Sequence, residues 1–231
     1  TVDVQSFIAY MEYETYVNNS DFASGYMNNW QVWKSKTVHS DIPQANGKWR
    51  FVLYDVDISC ALYGSEKNMA DYDSLGNNNC KSQYFNLPAI LKSLIRSDEF
   101  RQQFYDSYVE IMNTVFDYSA VDEKITEYVN AYEKATTDTL KRFSMDWAAN
   151  RYPQEEQRIR EFFRDRPLYA KRYLDNYCDE SKIDFENNLA TTNFWSYYGK
   201  CEASFNQSEN SFTLKVNTAQ EKPWNIQSQA K

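Results

Sequence analysis

From Pro88 to Cys178 the chain carries one dominant signal: apolar side chains recurring every three or four residues, the period of a helix with one buried face. A short helix begins near Pro88, with Leu87, Ile90, Leu91, Leu94 and Ile95 turned inward. Ser97 caps a second, whose stripe is Phe100, Phe104, Tyr108, Ile111 and Met112. Ser119 with Asp122 gives a capping-box-like start to a third, which runs through Ile125, Tyr128, Val129 and Tyr132 towards Trp147. Pro153 opens a fourth, PQEEQRIREFFRDR, with acids in its first turn and arginines in its last, as the helix dipole favours. A final helix follows Pro167 and ends near Cys178. At the other end Asp3 caps a helix with Val4, Phe7, Ile8 and Met11 on one side, and Asn18-Asn19 turns the chain out of it. Whatever the fold, it must bury a stripe from each of these helices.

Two β-type runs interrupt the helical pattern, Trp30 to Lys34 and Lys48 to Val56. The loop between them holds Pro43 and the Asn46-Gly47 turn signal, so they read as an antiparallel hairpin with a long connection. Residues 61 to 85 are polar and aperiodic, a long loop of the kind that serves as a lid or substrate shelf. Past Lys182 short alternating runs and polar turns take over, which places a domain edge near residue 180. The expected class is α+β, mainly α. It comprises a domain over 1–180, a helical bundle with a small antiparallel hairpin, and a β-rich tail over 181–231, too short for a complete module.

Aromatic residues make up 17% of the chain, and a packed helical core is the first use for them, ahead of a surface that stacks on sugars. The net charge of −8 excludes a nucleic-acid binder of the ordinary kind, which needs a basic face. It suits a site where a cation supplies the positive charge. No apolar run is long enough to span a membrane. Cys60, Cys80, Cys178 and Cys201 include no CxxC pair and the chain has one His, so a zinc site is disfavoured. Two disulfides are an alternative; nearest neighbours would pair Cys60 with Cys80 and Cys178 with Cys201, although four cysteines allow three connectivities. Disulfides and the acceptor triplets Asn18-Asn19-Ser20 and Asn206-Gln207-Ser208 favour an extracellular or cell-surface setting.

The candidate chemistry lies between Asn18 and Asp57: NNSDFASGYMNNWQVWKSK, a polar loop, then GKWRFVLYDVD. Oxygen ligands gathered at strand ends are how a magnesium-phosphate site is built, because the hard cation takes carboxylate and amide oxygens. Phosphoryl transfer needs a carboxylate near the attacking hydroxyl and metal held against the phosphates. Asp21, then Asn28 and Asn29, then Asp55 and Asp57 supply those parts in order. On residue types alone the plainer reading has the edge: Asp21 caps a turn, and Asp55 and Asp57 end a strand.

The wording of the whole stretch resembles the CotH (spore coat protein H) kinase-like family, with its N-x-D-W/F turn, its Asn pair entering an aromatic strand, and its G-K-W/F…W/Y-D-x-D strand. LIRSDEFRQQFYDSYVEIMNTVFDYSAV and W…EEQRIREFFRDRPLYAKRYL are similar to that family's continuation, so the resemblance covers residues 2 to about 178. It implies an atypical kinase-like C-lobe that uses ATP and Mg2+ or Mn2+ to phosphorylate Ser or Thr of secreted or surface proteins. Asp21 would be the catalytic carboxylate, and Asp55, Asn28 and Asn29 the cofactor-binding groups. Asp55, Asp57 and Asn29 would hold the metal. No glycine-rich cover or phosphate-binding lysine precedes the first helix, so an N-lobe is expected to be missing. The tail NFWSYYGKCEASFNQSENSFTLKVNTAQEKPWNIQ resembles the opening strands of a jelly-roll carbohydrate-binding module, with Trp195, Tyr197 and Trp224 as stacking candidates. That resemblance implies a cellulosome-type setting and, as the alternative function, a non-catalytic module binding protein or plant polysaccharide.

Overall fold

The computed structural model describes residues 1–19, 21–22, 29–60, 69–76, 87–183, 201–206 and 211–216, the last two segments as backbone. Helix α1 (Val4–Tyr16) is capped by Asp3, whose carboxylate accepts from the Ser6 N–H at 2.9 Å. It runs through the middle of the domain, so the single stripe expected from the sequence widens to most of its circumference. Phe7, Ile8, Tyr10, Met11, Glu12, Glu14, Thr15 and Tyr16 are all buried. On one side lies an antiparallel pair, β1 (Gln31–Trp33) and β2 (Arg50–Val52), in the register Val32 to Phe51. Arg50 ties this pair back to the start of α1 through a 2.8 Å ion pair with Asp3. Phe51 fills the space between Phe7 and Tyr10, both at ring separations of 5.3 Å.

On the other side pack α2 (Leu87–Leu94) and α3 (Asp98–Asn113), the latter capped by Ser97 as expected. The α3 stripe of Phe100, Phe104, Tyr108 and Met112 is buried against α1, and Phe116 stacks on Tyr16 at 4.3 Å. Among the described residues the aromatic loading is thus spent chiefly on the core. Two long antiparallel helices complete the bundle, α4 (Tyr118–Arg142) and α5 (Asp146–Tyr177). The cap of α4 is Asp117 rather than Ser119, because its carboxylate takes the N–H groups of both Ser119 and Ala120. The helix also stops at Arg142, short of Trp147.

The larger correction concerns α5, one continuous helix where the prolines suggested two. Pro153 and Pro167 both lie inside it. An interior proline removes a helix hydrogen bond and costs roughly 3 kcal/mol. Here Phe162, Arg166, Ala170 and Leu174 are buried at four-residue intervals on both sides of Pro167, and a break would take half of them out of the core. Burial of two large apolar side chains, about 1.5–3 kcal/mol each, offsets that cost.

The tail contains an antiparallel pair, β3 (Cys201–Asn206) and β4 (Ser211–Val216). Trp195, Tyr197 and Trp224 lie outside the described residues, as does most of the long loop over 61–85. Among the described residues Cys60 and Cys178 carry free thiols; their nearest-neighbour candidates, Cys80 and the side chain of Cys201, lie outside the described residues. No helix among the described residues is long and apolar enough to cross a membrane.

Arg166 joins the two halves of this structure. It is 1% exposed, with its guanidinium at the C-terminal end of α1. Its Nε donates to the Tyr16 carbonyl at 2.8 Å and its Nη2 to that of Thr15 at 2.7 Å. Nη1 donates to Ala70 and Tyr72 carbonyls at 2.8 and 2.6 Å. The other orphan carbonyls of the helix end are met as well: Tyr13 by the Val17 N–H, Glu14 by the Asn19 N–H. Replacing Arg166 with Met would keep much of the volume and leave four buried carbonyls short of a donor, at about 1–3 kcal/mol for each that water cannot reach. We expect Arg166→Met to lower the unfolding midpoint by well over 5 °C in a thermal melt, and Arg166→Lys to rescue little, since an ammonium cannot reproduce the planar fork.

Candidate functional site

The chain leaves α1 through Asn18, which takes a left-handed conformation at φ 54°, as an asparagine at such a turn tolerates well. Asn18 is itself buried. Its amide reaches the Met69 carbonyl at 3.5 Å and accepts from the Ser74 hydroxyl at 2.7 Å. A side chain so enclosed cannot carry a glycan, so the first acceptor triplet is a structural turn. Asn206 of the second has no described side chain.

Asn19 begins a polar chain that ends at the candidate catalytic residue. Its Nδ2 donates to Glu14 Oε2 at 2.8 Å, and its Oδ1 accepts the N–H of Asp21 at 3.0 Å. Asp21 in turn accepts from Asn29 Nδ2 through Oδ2, in a short hydrogen bond. Tyr10 reaches the Asn29 carbonyl from α1 at 3.4 Å. Two helix side chains thus brace the Asp21 turn and the entry to β1, with Asn19 and Asn29 as the connecting amides.

Asp55 and Asp57 leave the end of β2 and face the same region. Asp55 is exposed and takes a left-handed backbone conformation, φ 55°, one that aspartate adopts more readily than most non-glycine residues. Its carboxyl is raised above the usual range, first by partial desolvation, then by a hydrogen bond with Asp57 and the charges of Asp57 and Asp21. Both other carboxylate candidates, Asp57 and Asp21, are therefore near enough to act on Asp55 electrostatically. Asn29 is committed through its amide nitrogen to Asp21, leaving its carbonyl oxygen as the atom a cation would take. Asn28 lies outside the described residues.

The donor set is oxygen throughout and supplies two close carboxylates with a third nearby. Among the described residues no group of three or more His, Cys, Asp or Glu side chains is placed to hold a metal ion. A groove of 920 Å³ runs elsewhere, between residues 69–71 and the middle of α5. None of the four described candidate residues lines it, and its arginines, Arg151 and Arg158, already pair with Glu155. His39 is exposed in the hairpin connection and takes no part in the site.

The family description "CotH kinase protein" matches residues 1–170, which takes in α1, the hairpin, the carboxylate cluster and most of α5. The chain belongs to the CotH kinase family. No curated protein and no solved structure matches it. Membership brings with it a kinase chemistry that uses ATP with a metal ion. Within that family frame, what sequence reasoning missed is the support behind the carboxylates: Glu14, buried completely, and Asn19.

Glu14 is a second-order but measurable part of the site. Burial pushes its carboxyl up to about 7, against the opposing pull of hydrogen bonds with Asn19 and Tyr10. Glu12, facing α3, is likewise pushed to about 7 by burial, with the Glu110 charge adding to it. Both groups bind a proton more tightly folded than unfolded. Stability should therefore be highest below the ordinary value of 4.5, fall as pH rises from there to about 7, and level off above. Urea unfolding at pH 5 and pH 8 should show the drop, at most about 1.4 kcal/mol per unit of displacement for each group. Glu14→Gln, which keeps an acceptor for Asn19, should flatten its share of the slope.

Proposed function

We propose that this protein transfers the γ-phosphate of ATP, with Mg2+ as the cation, to Ser or Thr hydroxyls of a secreted or cell-surface protein. The observation that supports this reading is the hydrogen bond of Asp55 with Asp57, with Asp21 near enough to act on Asp55 by its charge, in a chain of the CotH kinase family. The charges of Asp57 and Asp21 bear on Asp55, and a region of negative potential of that kind is what a divalent cation is attracted to.

Asp21 is the group that would orient the acceptor hydroxyl and take its proton as the oxygen attacks. Its N–H is fixed by Asn19 and one carboxylate oxygen by Asn29, so its rotamer is set before substrate arrives. Asp55 and Asp57 would hold the cation, the left-handed backbone at Asp55 turning its carboxylate back towards Asp57. When bound, the ion screens the phosphate charges that would otherwise repel this acidic surface. Glu14 and Tyr10 stand further back, Glu14 accepting from the Asn19 side-chain amide and Tyr10 donating to the main-chain carbonyl of Asn29.

Two measurements test the assignment. Calorimetric titration of ATP with magnesium should give binding to the wild type and none to Asp55→Ala. Binding of equal strength in both proteins would remove Asp55 from the metal site. Asp21→Asn should keep nucleotide affinity and lose phosphoryl transfer to dephosphorylated casein, by about 10²–10⁴-fold if the carboxylate serves as general base. Nucleotide binding without a loss of transfer in Asp21→Asn would assign the base elsewhere.

A further inference from the structure

Glu14 is a fully enclosed carboxyl in contact with the braces of the candidate site, and its partners are neutral. Its Oε2 accepts from Asn19 Nδ2 at 2.8 Å, while Oε1 is enclosed without a hydrogen-bond partner among the described residues. Tyr10, one turn earlier on α1, and Tyr13 are the titratable side chains that feel its charge, and burial keeps both hydroxyls protonated. Cys60, near Tyr13, is kept as a thiol in the same way. Arg166, the cation at this helix end, spends its guanidinium on main-chain carbonyls, those of Thr15 and Tyr16 among them. Asp21 stands beyond Asn19. A carboxyl enclosed among neutral donors, with no cation upon it, keeps its proton into the neutral range.

What that proton decides is the orientation of one amide. An ionised carboxylate only accepts hydrogen bonds, so it takes the Nδ2 end of Asn19 and leaves Oδ1 for the Asp21 N–H, which it meets at 3.0 Å. The main chain of Asn19 is held separately, its N–H on the Glu14 carbonyl at 3.0 Å, so the side-chain amide can turn while the backbone stays in place. A protonated carboxyl both donates and accepts, and it no longer dictates which end of the amide faces it. The bond itself also weakens, since a charge-assisted hydrogen bond is roughly twice as strong as a neutral one.

We infer that Glu14 and Asn19 form a proton-operated latch on Asp21: the ionised carboxylate locks the Asn19 amide with its oxygen on the Asp21 N–H, and uptake of one proton by Glu14 frees that amide and slackens the turn. The proton comes from solvent and returns to it, and the bistable element is a single primary amide. Asp21 is tied to Asn29 at its carboxylate as well, so a slack main chain at Asp21 alters the aim of the group that Asn29 holds. The latch stands on these hydrogen bonds alone. Its consequence for phosphoryl transfer rests on the reading of Asp21 as the base, and on that reading the site is switched on as pH rises through the neutral range.

NMR titration of the full chain between pH 6 and pH 8 tests this without any substrate. The side-chain carboxyl carbon of Glu14, the side-chain amide of Asn19 and the main-chain N–H of Asp21 should move together with one midpoint. Glu14→Gln, which donates and accepts as the protonated acid does, should abolish the step at Asp21 and hold its N–H at the low-pH position throughout. Glu12→Gln should leave the step in place, since Glu12 takes up its proton in the same range but faces α3. The latch is overturned by a Glu14 that does not titrate in this range, by a Glu14 titration that the Asp21 N–H does not follow, or by a step at Asp21 that survives Glu14→Gln. The first two are read on the wild type, so the outcome does not hang on the variant folding. Transfer to dephosphorylated casein gives the second readout: kcat of the wild type should rise about tenfold from pH 6 to pH 8, in step with the ionised fraction of a group whose midpoint is about 7, and Glu14→Gln should stay flat and low. Absence of transfer from a protein that shows the coupled NMR step would overturn the kinase assignment and leave the latch standing.

Discussion

A single buried cation at the end of a central helix sets the terms for the rest of this structure. Helix α1 carries no basic residue in its own last turn, yet its C-terminus is where the negative end of the dipole and the unsatisfied carbonyls collect. Arg166 supplies the missing charge from α5. Because its fork also takes the Ala70 and Tyr72 carbonyls, one side chain fixes the helix end, the residue 70–72 turn and the middle of α5 relative to one another. The rings of Tyr16 and Phe162 flank the guanidinium at 6.0 and 5.7 Å, so the cation is also lodged between aromatic faces. Desolvating a guanidinium is costly, and it is tolerated here because every named contact is an acceptor already starved of water.

The carboxylate cluster grows out of that arrangement. Once α1 is anchored, Asn18 and Asn19 leave it in a defined direction, and Asn19 stands between Glu14 inside the core and Asp21 at its edge. Burying a glutamate is a poor way to stabilise a core, as its raised proton affinity shows. It is a good way to fix an amide. The candidate site is thus braced on the Asp21 side and exposed on the side of Asp55 and Asp57.

Much of this is legible from residue order. Helix stripes at 100–112, the caps Asp3 and Ser97, and the antiparallel hairpin around Asn46-Gly47 are local patterns, and local patterns survive folding when packing agrees with them. The carboxylates Asp21, Asp55 and Asp57 could be put forward as candidates because the proposed chemistry demands that residue type. What was hidden is non-local. Arg166 reads as one of several arginines in a charged helix, since its partners lie about 90 to 150 positions away. Pro153 and Pro167 read as breaks because the stripe that outweighs one of them is visible only once Phe162 and Leu174 are seen to share a core. Glu14 hides for a related reason: a helix enclosed on most sides has no polar face, and a single-stripe reading assigns one to it.

Cys60 offers an unplanned window on the same junction. Its backbone N–H closes the last carbonyl of the α1 exit, Val17, at 2.6 Å, while its thiol is 5% exposed and pushed by burial up to about 12. Such a thiol is almost entirely protonated at neutral pH and walled off from reagents, so alkylation must wait for the structure around it to part. The rate at which Cys60 is modified in the native protein then becomes a clock for transient opening of the joint that holds Asp21 in place. A thiol at this position turns a local fluctuation, otherwise silent, into a chemical record.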